Sequence, residues 1–195
     1  MARYDDGTAL LVVDMQNDFA APDGSLCVRG GVDVVAVVNA EIAAARRSGA
    51  LCVYTQDWHP ADTPHFAKDG GQWPVHCVAG TWGAQFVDGL DVDGPGVRKG
   101  SGGEDGYSGF SVRDPRSGRR STTELEQLLR QRDVRRVVIV GLATDYCVKE
   151  TALDARRAGL AVRVHRGATR PVEVAPGDGE RAVAELRAAG VEVVD

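Results

Sequence analysis

The chain is short of the features that would place it outside the ordinary globular class. It has no run of about 18 apolar residues, so no membrane span is expected. Behind the opening MARYDD there is no apolar stretch of the signal-peptide kind, which makes a cytoplasmic location the expectation. Cysteine is scarce: Cys27, Cys52, Cys77 and Cys147 are the only four in 195 residues, and none forms a CxxC pair. A chain of this size needs no disulfide staples, so all four read as free thiols. An excess of positive charge is also missing. The formal net charge is -5, and the basic clusters are confined to RSGRR (116–120) and RQRDVRR (130–136). Those two stretches read as solvated loop and helix ends, which argues against nucleic-acid binding. What is present, 43% hydrophobic and 26% charged residues, fits one folded domain over residues 1–195 with a sizeable core.

Strand and helix patterns alternate along the chain. TALLVVDM (8–15) is nearly continuous in apolar residues, as in a strand buried on both faces. Residues 31–50 repeat apolar positions every three or four and end near a glycine, which predicts a helix. LCVYTQ (51–56) reads as a second strand and GVRKG (96–100) as a weaker third. Thr122 and Thr123 precede a helix over 124–130, and VRRVVIVGL (134–142) is the clearest strand. A helix from about Asp145, a strand at 160–167, a helix in GDGERAVAELRAAG and a closing VEVV strand complete the pattern. Repeated βα units of this length predict an α/β fold: three αβα layers around a mostly parallel sheet of about six strands.

Ligands of such sheets sit at the carboxyl ends of the strands, near a reversal in strand order. Asp14, Asp57, Lys99 and Cys147 all fall on that edge. Cys147, at a strand-to-helix turn, is either a small core residue or a thiol activated by a helix start. Asp14 either caps a turn or acts as a base whose pKa is raised in a dry cleft. Lys99 could hold the carboxylate and thiol in register. The stretch from Asp57 to Leu90 is long for a loop and carries His59, His65 and His76. Its D-x-H-x5-H spacing, stiffened by Pro60 and Pro64, suits a divalent ion such as Zn, Fe or Mn, or else is a polar surface loop.

Five stretches together resemble the isochorismatase-like cysteine hydrolases over nearly the whole chain. They are VVDMQNDF (12–19), TQDWHPADTPHF (55–66), WPVHCVAGTWGAQF (73–86), RKG (98–100) and VGLATDYCVKETALDA (140–155). The middle histidine-bearing block is similar to the nicotinamidase and pyrazinamidase branch in particular. The resemblance implies the isochorismatase-like hydrolase fold, with Asp14, Lys99 and Cys147 as catalytic triad. It implies one divalent metal ion per chain on Asp57, His59, His65 and, as in many members, His76. Phe19 and Trp73 match positions lining the pocket around a pyridine ring. A cis peptide is implied at Leu142–Ala143, with the backbone N–H groups of Ala143 and Cys147 facing an oxyanion. The implied reaction is hydrolysis of nicotinamide to nicotinate and ammonia through a thioester, with pyrazinamide-like carboxamides as side substrates.

Three other readings compete. A relative acting on isochorismate would not depend on a cysteine at position 147, and one acting on a carbamoyl or ureido compound would lack the full ligand set. A degenerate binding protein would lack one of Asp14, Lys99 and Cys147. Whether the chain forms a homo-oligomer is left open by the sequence.

Overall fold

The computed structural model describes residues 4–195; residues 1–3, which open the MARYDD stretch, lie outside the described residues. The elements follow in order as β1 (Thr8–Val13), α1 (Asn17–Ala20), α2 (Val35–Arg47), β2 (Leu51–Asp57), β3 (Gly96–Lys99), β4 (Ser111–Arg113) and β5 (Arg120–Thr122). Then come α3 (Leu125–Arg130), β6 (Arg136–Leu142), α4 (Lys149–Arg157), β7 (Ala161–Arg170), α5 (Asp178–Ala188) and β8 (Glu192–Val194). Six strands form one sheet in the order β3-β2-β1-β6-β7-β8, and every pairing in it is parallel.

The central position of β1 explains its unbroken TALLVV sequence, because all six residues are buried. Leu10 and Val12 pack with Val38, Ile42 and Ala45 of α2 on one face. Ala9, Leu11 and Val13 face the opposite layer, where Leu125 and Leu129 of α3, Ala152 of α4 and Leu186 of α5 lie. The period-two alternation of a strand thus feeds two cores at once, and each buried leucine contributes about 1.5–3 kcal/mol. Strand order reverses between β1 and β6, so the crevice at their carboxyl ends is where a ligand belongs.

Several boundaries differ from the expectation for local physical reasons. The helix expected from residue 31 starts as a tight 3-10 turn at Val32–Val34 before α2 proper. The one expected near Asp145 starts as a wide π turn over Thr144–Val148 that runs into α4. β7 continues through Gly167 to Arg170, and its register against β6 shifts between Ile139 and Gly141. Part of the RSGRR stretch is not loop: Arg120 opens β5, which pairs antiparallel with β4 in a separate hairpin. Both hairpin strands are exposed or half-buried and lack apolar alternation, so nothing in their pattern marks them as strands. Among the described residues no helix is long and apolar enough to cross a membrane.

Candidate active site

The crevice is built by four strand ends. Asp14 follows β1 with its backbone in the left-handed region (φ 47°), a conformation aspartate tolerates better than most residues. Its N–H is held by the backbone and hydroxyl oxygens of Thr55 (both 3.2 Å), and the Thr55 hydroxyl donates to its carboxylate at 2.6 Å. Asp57 ends β2, and Gln16 clasps its backbone, accepting from the N–H (2.8 Å) and donating to the carbonyl (2.7 Å). Lys99 ends β3. The next residue, Gly100, has φ 77° and lies so close to the His59 ring that a Cβ would stand 2.5 Å from it, so only glycine fits. Beyond β6, Gly141 (φ 108°) approaches β1 closely enough that a Cβ would lie 2.1 Å from the Val13 carbonyl oxygen. The Leu142–Ala143 peptide is cis, and the Ala143 carbonyl accepts from Tyr146 (3.2 Å) and Val148 (3.0 Å), closing the turn that carries Cys147.

Lys99 is the hub. Its fully buried ammonium lies 2.6 Å from Asp14 Oδ2 and 2.5 Å from Asp57 Oδ1, donates to the Gly106 carbonyl, and stands 3.6 Å from Cys147 Sγ. Burial works against its charge, but Asp14 and Asp57 outweigh that and hold its pKa well above the ordinary value. Burial raises the Asp14 pKa, with Lys99 opposing, towards the range a proton acceptor needs. Asp57 goes the other way: burial would raise it, yet Lys99, His59 and His76 hold it well below the carboxylate range. Burial also lifts the Cys147 thiol well above its usual value, against the pull of Lys99. Burial thus favours the thiol form, and a sulfur in that form can act as a nucleophile only once a base takes its proton.

The three loop histidines converge on the far side of Asp57. His59 stacks on His65 (centroids 4.6 Å, planes 17° apart) and meets His76 edge-on at 5.3 Å. Each offers a ring nitrogen, and the three lie within 4.8 Å of one another. Asp57 Oδ2, the oxygen turned away from Lys99, is 3.7 Å from His59 Nε2 and 3.8 Å from His76 Nε2. His76 donates through Nδ1 to the Pro74 carbonyl (2.8 Å), an acceptor only, which in the neutral ring leaves the lone pair on Nε2. Burial lowers the His65 pKa, which keeps that ring neutral. Both ring nitrogens of His59 are buried without a hydrogen-bond partner. Such groups cost free energy unless something satisfies them. Three imidazole nitrogens and one carboxylate oxygen are the donor set of a borderline divalent ion, so these residues could hold one.

Phe19 packs its ring 5.4 Å from His76, and Trp73 meets Tyr146 at 4.9 Å. All the site residues expected from the sequence are thus gathered in one crevice. Two aromatic walls were not singled out. Tyr107 accepts from Trp73 Nε1 (2.8 Å) and has its pKa pushed up to about 12 by burial, and Tyr146 directly precedes Cys147. The aromatic in YSGF and the one beside Cys147 were the available signals. Asp62, at the other end, makes only an exposed contact with Lys68 (2.5 Å) and belongs to the surface.

A doubly wound parallel sheet with a buried thiol, carboxylate and ammonium at its switch point defines an αβα hydrolase class. The chain matches the Isochorismatase domain over residues 8–195, and it belongs to that family. It is 40% identical over 190 residues to the nicotinamidase/pyrazinamidase of Mycobacterium tuberculosis, covering 95% of this chain and 97% of that protein. Among solved structures it is similar to the pyrazinamidase of Pyrococcus horikoshii in complex with zinc, with TM-score 0.86, 41% identity and 97% and 99% of the two chains covered. PnC1 of L. infantum in complex with nicotinate superposes with TM-score 0.90 at 36% identity over 100% of this chain and 96% of that one.

Proposed function

We propose that this protein hydrolyses nicotinamide to nicotinate and ammonia through a thioester on Cys147, and accepts pyrazinamide-like carboxamides. One observation carries the reading: the Asp14–Lys99–Cys147 cluster shares Asp57 with a set of three converging imidazoles, one of which has no hydrogen-bond partner for either nitrogen. Thiol chemistry alone would need only the first group. The names of the relatives supply the substrate class.

In the reaction Asp14 takes the Cys147 proton, and the sulfur attacks the carboxamide carbon. The backbone N–H groups of Ala143 and Cys147 donate to the oxyanion. Protonated Asp14 gives its proton to the leaving nitrogen, the C–N bond breaks and ammonia departs. Asp14 then takes a proton from water, whose oxygen attacks the thioester. The C–S bond breaks, the proton returns to Cys147 and nicotinate leaves. Lys99 stays charged throughout and holds both carboxylates in place. Phe19 and Trp73, with Tyr107 and Tyr146, enclose the pyridine ring and exclude water. A divalent ion held by Asp57, His59, His65 and His76, one per chain, would supply a Lewis-acid contact that orients the ring nitrogen. We place the reaction in the cytoplasm, where four unpaired cysteines stay reduced.

The test is ammonia release from nicotinamide by the wild-type protein, the chelated protein and Cys147→Ala. The reading expects release by metal-loaded wild type, a strong loss on chelation and none from the variant. No ammonia from the metal-loaded wild type, or full activity of the variant, would overturn it.

A further inference from the structure

We infer that Asp105 is a positioning residue of the imidazole cluster, which fixes the tautomer and the aim of His65 and so sets the affinity for a divalent ion. The inference rests on the metal reading of the proposed function. It begins from a contact forty residues long in sequence: His65 Nδ1 lies 2.8 Å from Asp105 Oδ1. Both side chains are largely out of water, 4% and 13% exposed. A carboxylate only accepts, so His65 donates through Nδ1–H, and in the neutral ring Nε2 keeps the lone pair and is the nitrogen left to join the cluster. A metal-binding imidazole characteristically hands its second N–H to a carboxylate or carbonyl in this way, which orients the ring and raises its basicity.

The three rings of the cluster are held differently, and that singles out His65. His76 gives its Nδ1–H to the Pro74 carbonyl, two residues away on its own strap. His59 is buried in the crevice with no hydrogen-bond partner for either nitrogen. His65 alone depends on a separate segment of chain. That segment is anchored from both sides. Asp105 and Arg113 exchange backbone hydrogen bonds (2.8 and 3.0 Å), which ties Asp105 to the first strand of the exposed hairpin. Arg113 Nη1 also lies 3.7 Å from the second carboxylate oxygen. On the other side the Thr63 hydroxyl donates to the Gly103 carbonyl (2.7 Å) and accepts from His65 N (3.2 Å), which knits the histidine loop to the loop holding Asp105. The β4–β5 hairpin, which no part of the sheet requires, thus acts as a buttress for one imidazole.

A cavity of about 620 Å³ lined by His65, Asp105, Tyr107 and Arg113 among others opens against the contact. Water from it can therefore reach the Nδ1 side when the carboxylate is removed, and the proton is then free to sit on either nitrogen. The Nε2–H form has no lone pair on Nε2 with which to join the cluster.

The test uses zinc competition against a chromogenic chelator and the ring nitrogen shifts of His65 by NMR in the metal-free protein. Wild type is expected to show Nδ1–H with bare Nε2. Asp105→Ala is expected to shift the proton towards Nε2 and to weaken zinc by about 10–100-fold. Asp105→Asn keeps an accepting oxygen and should recover most of the tautomer and much of the affinity. Wild-type His65 protonated on Nε2, or Asp105→Ala binding zinc as wild type does with the tautomer unchanged, or Asp105→Asn losing as much affinity and tautomer preference as Asp105→Ala, would overturn the inference. Should wild type bind no zinc at all, it is the metal reading that fails, and the affinity role of Asp105 with it.

Discussion

On one side of the crevice Lys99 lies between Asp14 and Asp57 with every charge answered from within the chain; on the other, His59 keeps two buried nitrogens without a hydrogen-bond partner. Asp57 belongs to both, one oxygen on Lys99 and the other turned to the imidazoles. The first side is finished by folding. The second is finished only by a ligand, so its geometry is set by contacts behind the rings, at Pro74 and Asp105. Variants on the first side should change chemistry or stability while sparing metal content, and variants on the second side should do the reverse.

The largest effect should come from Cys147→Ala. Removing the sulfur is expected to lower kcat by at least about 10⁴-fold while zinc binds at the wild-type stoichiometry, measured by ammonia release and elemental analysis on the same sample. Metal loss in this variant would break the separation of the two sides. Next comes Lys99→Met, which leaves Asp14 and Asp57 buried together without their cation. Breaking a buried ionic network this way costs about 3–5 kcal/mol, read as a shift of the denaturant midpoint. A shift near zero would mean the carboxylates find another partner. His59→Ala should weaken zinc by more than about 100-fold, beyond what loss of an outer hydrogen bond gives. Alkylation of Cys147 in the metal-free protein should proceed at the wild-type rate in that variant. A slowed alkylation would show that the two sides are not independent.

The smallest effect is on pH dependence. Lys99 and the imidazoles hold Asp57 well below its unfolded value, so its contribution to stability is fully present above about pH 4 and is lost as pH falls through the lower folded value. Burial raises Asp14, so its contribution has the opposite sign: present below the unfolded value, and lost as pH rises through the folded one. Denaturant midpoints of the metal-free protein at steps between pH 3 and 7 should therefore show Asp57→Asn flattening the acid limb and Asp14→Asn flattening the rise-dependent loss above it.

The unequal visibility of the two sides in the sequence has the same origin as their chemistry. Asp14, Asp57, Lys99 and Cys147 were legible because each ends or follows a strand, and a continuous apolar run such as LLVV or VVIV announces where a buried strand stops. His59, His65 and His76 were legible as a cluster, and the family resemblance assigned their roles. Tyr107 and Asp105 were not, since they sit in a loop without periodicity and meet their partners, Trp73 and His65, only through tertiary structure. The hairpin that holds Asp105 was invisible for a related reason: its strands are short and exposed or half-buried, so no burial pattern is written into them. The π turn at Thr144–Val148 comes just past a register shift of β6 against β7 between Ile139 and Gly141, and neighbouring-residue propensity does not encode either.

The central claim is that the carboxamide carbon becomes bonded to Cys147, and intact-protein mass spectrometry after acid quenching of a nicotinamide turnover tests it most directly. The account predicts a population heavier by one nicotinoyl group, mapped by peptide digestion to Cys147 and lost when nicotinamide is withheld. Turnover with no adduct on Cys147 at any quench time, together with a Cys147→Ala variant that still releases ammonia, would contradict it.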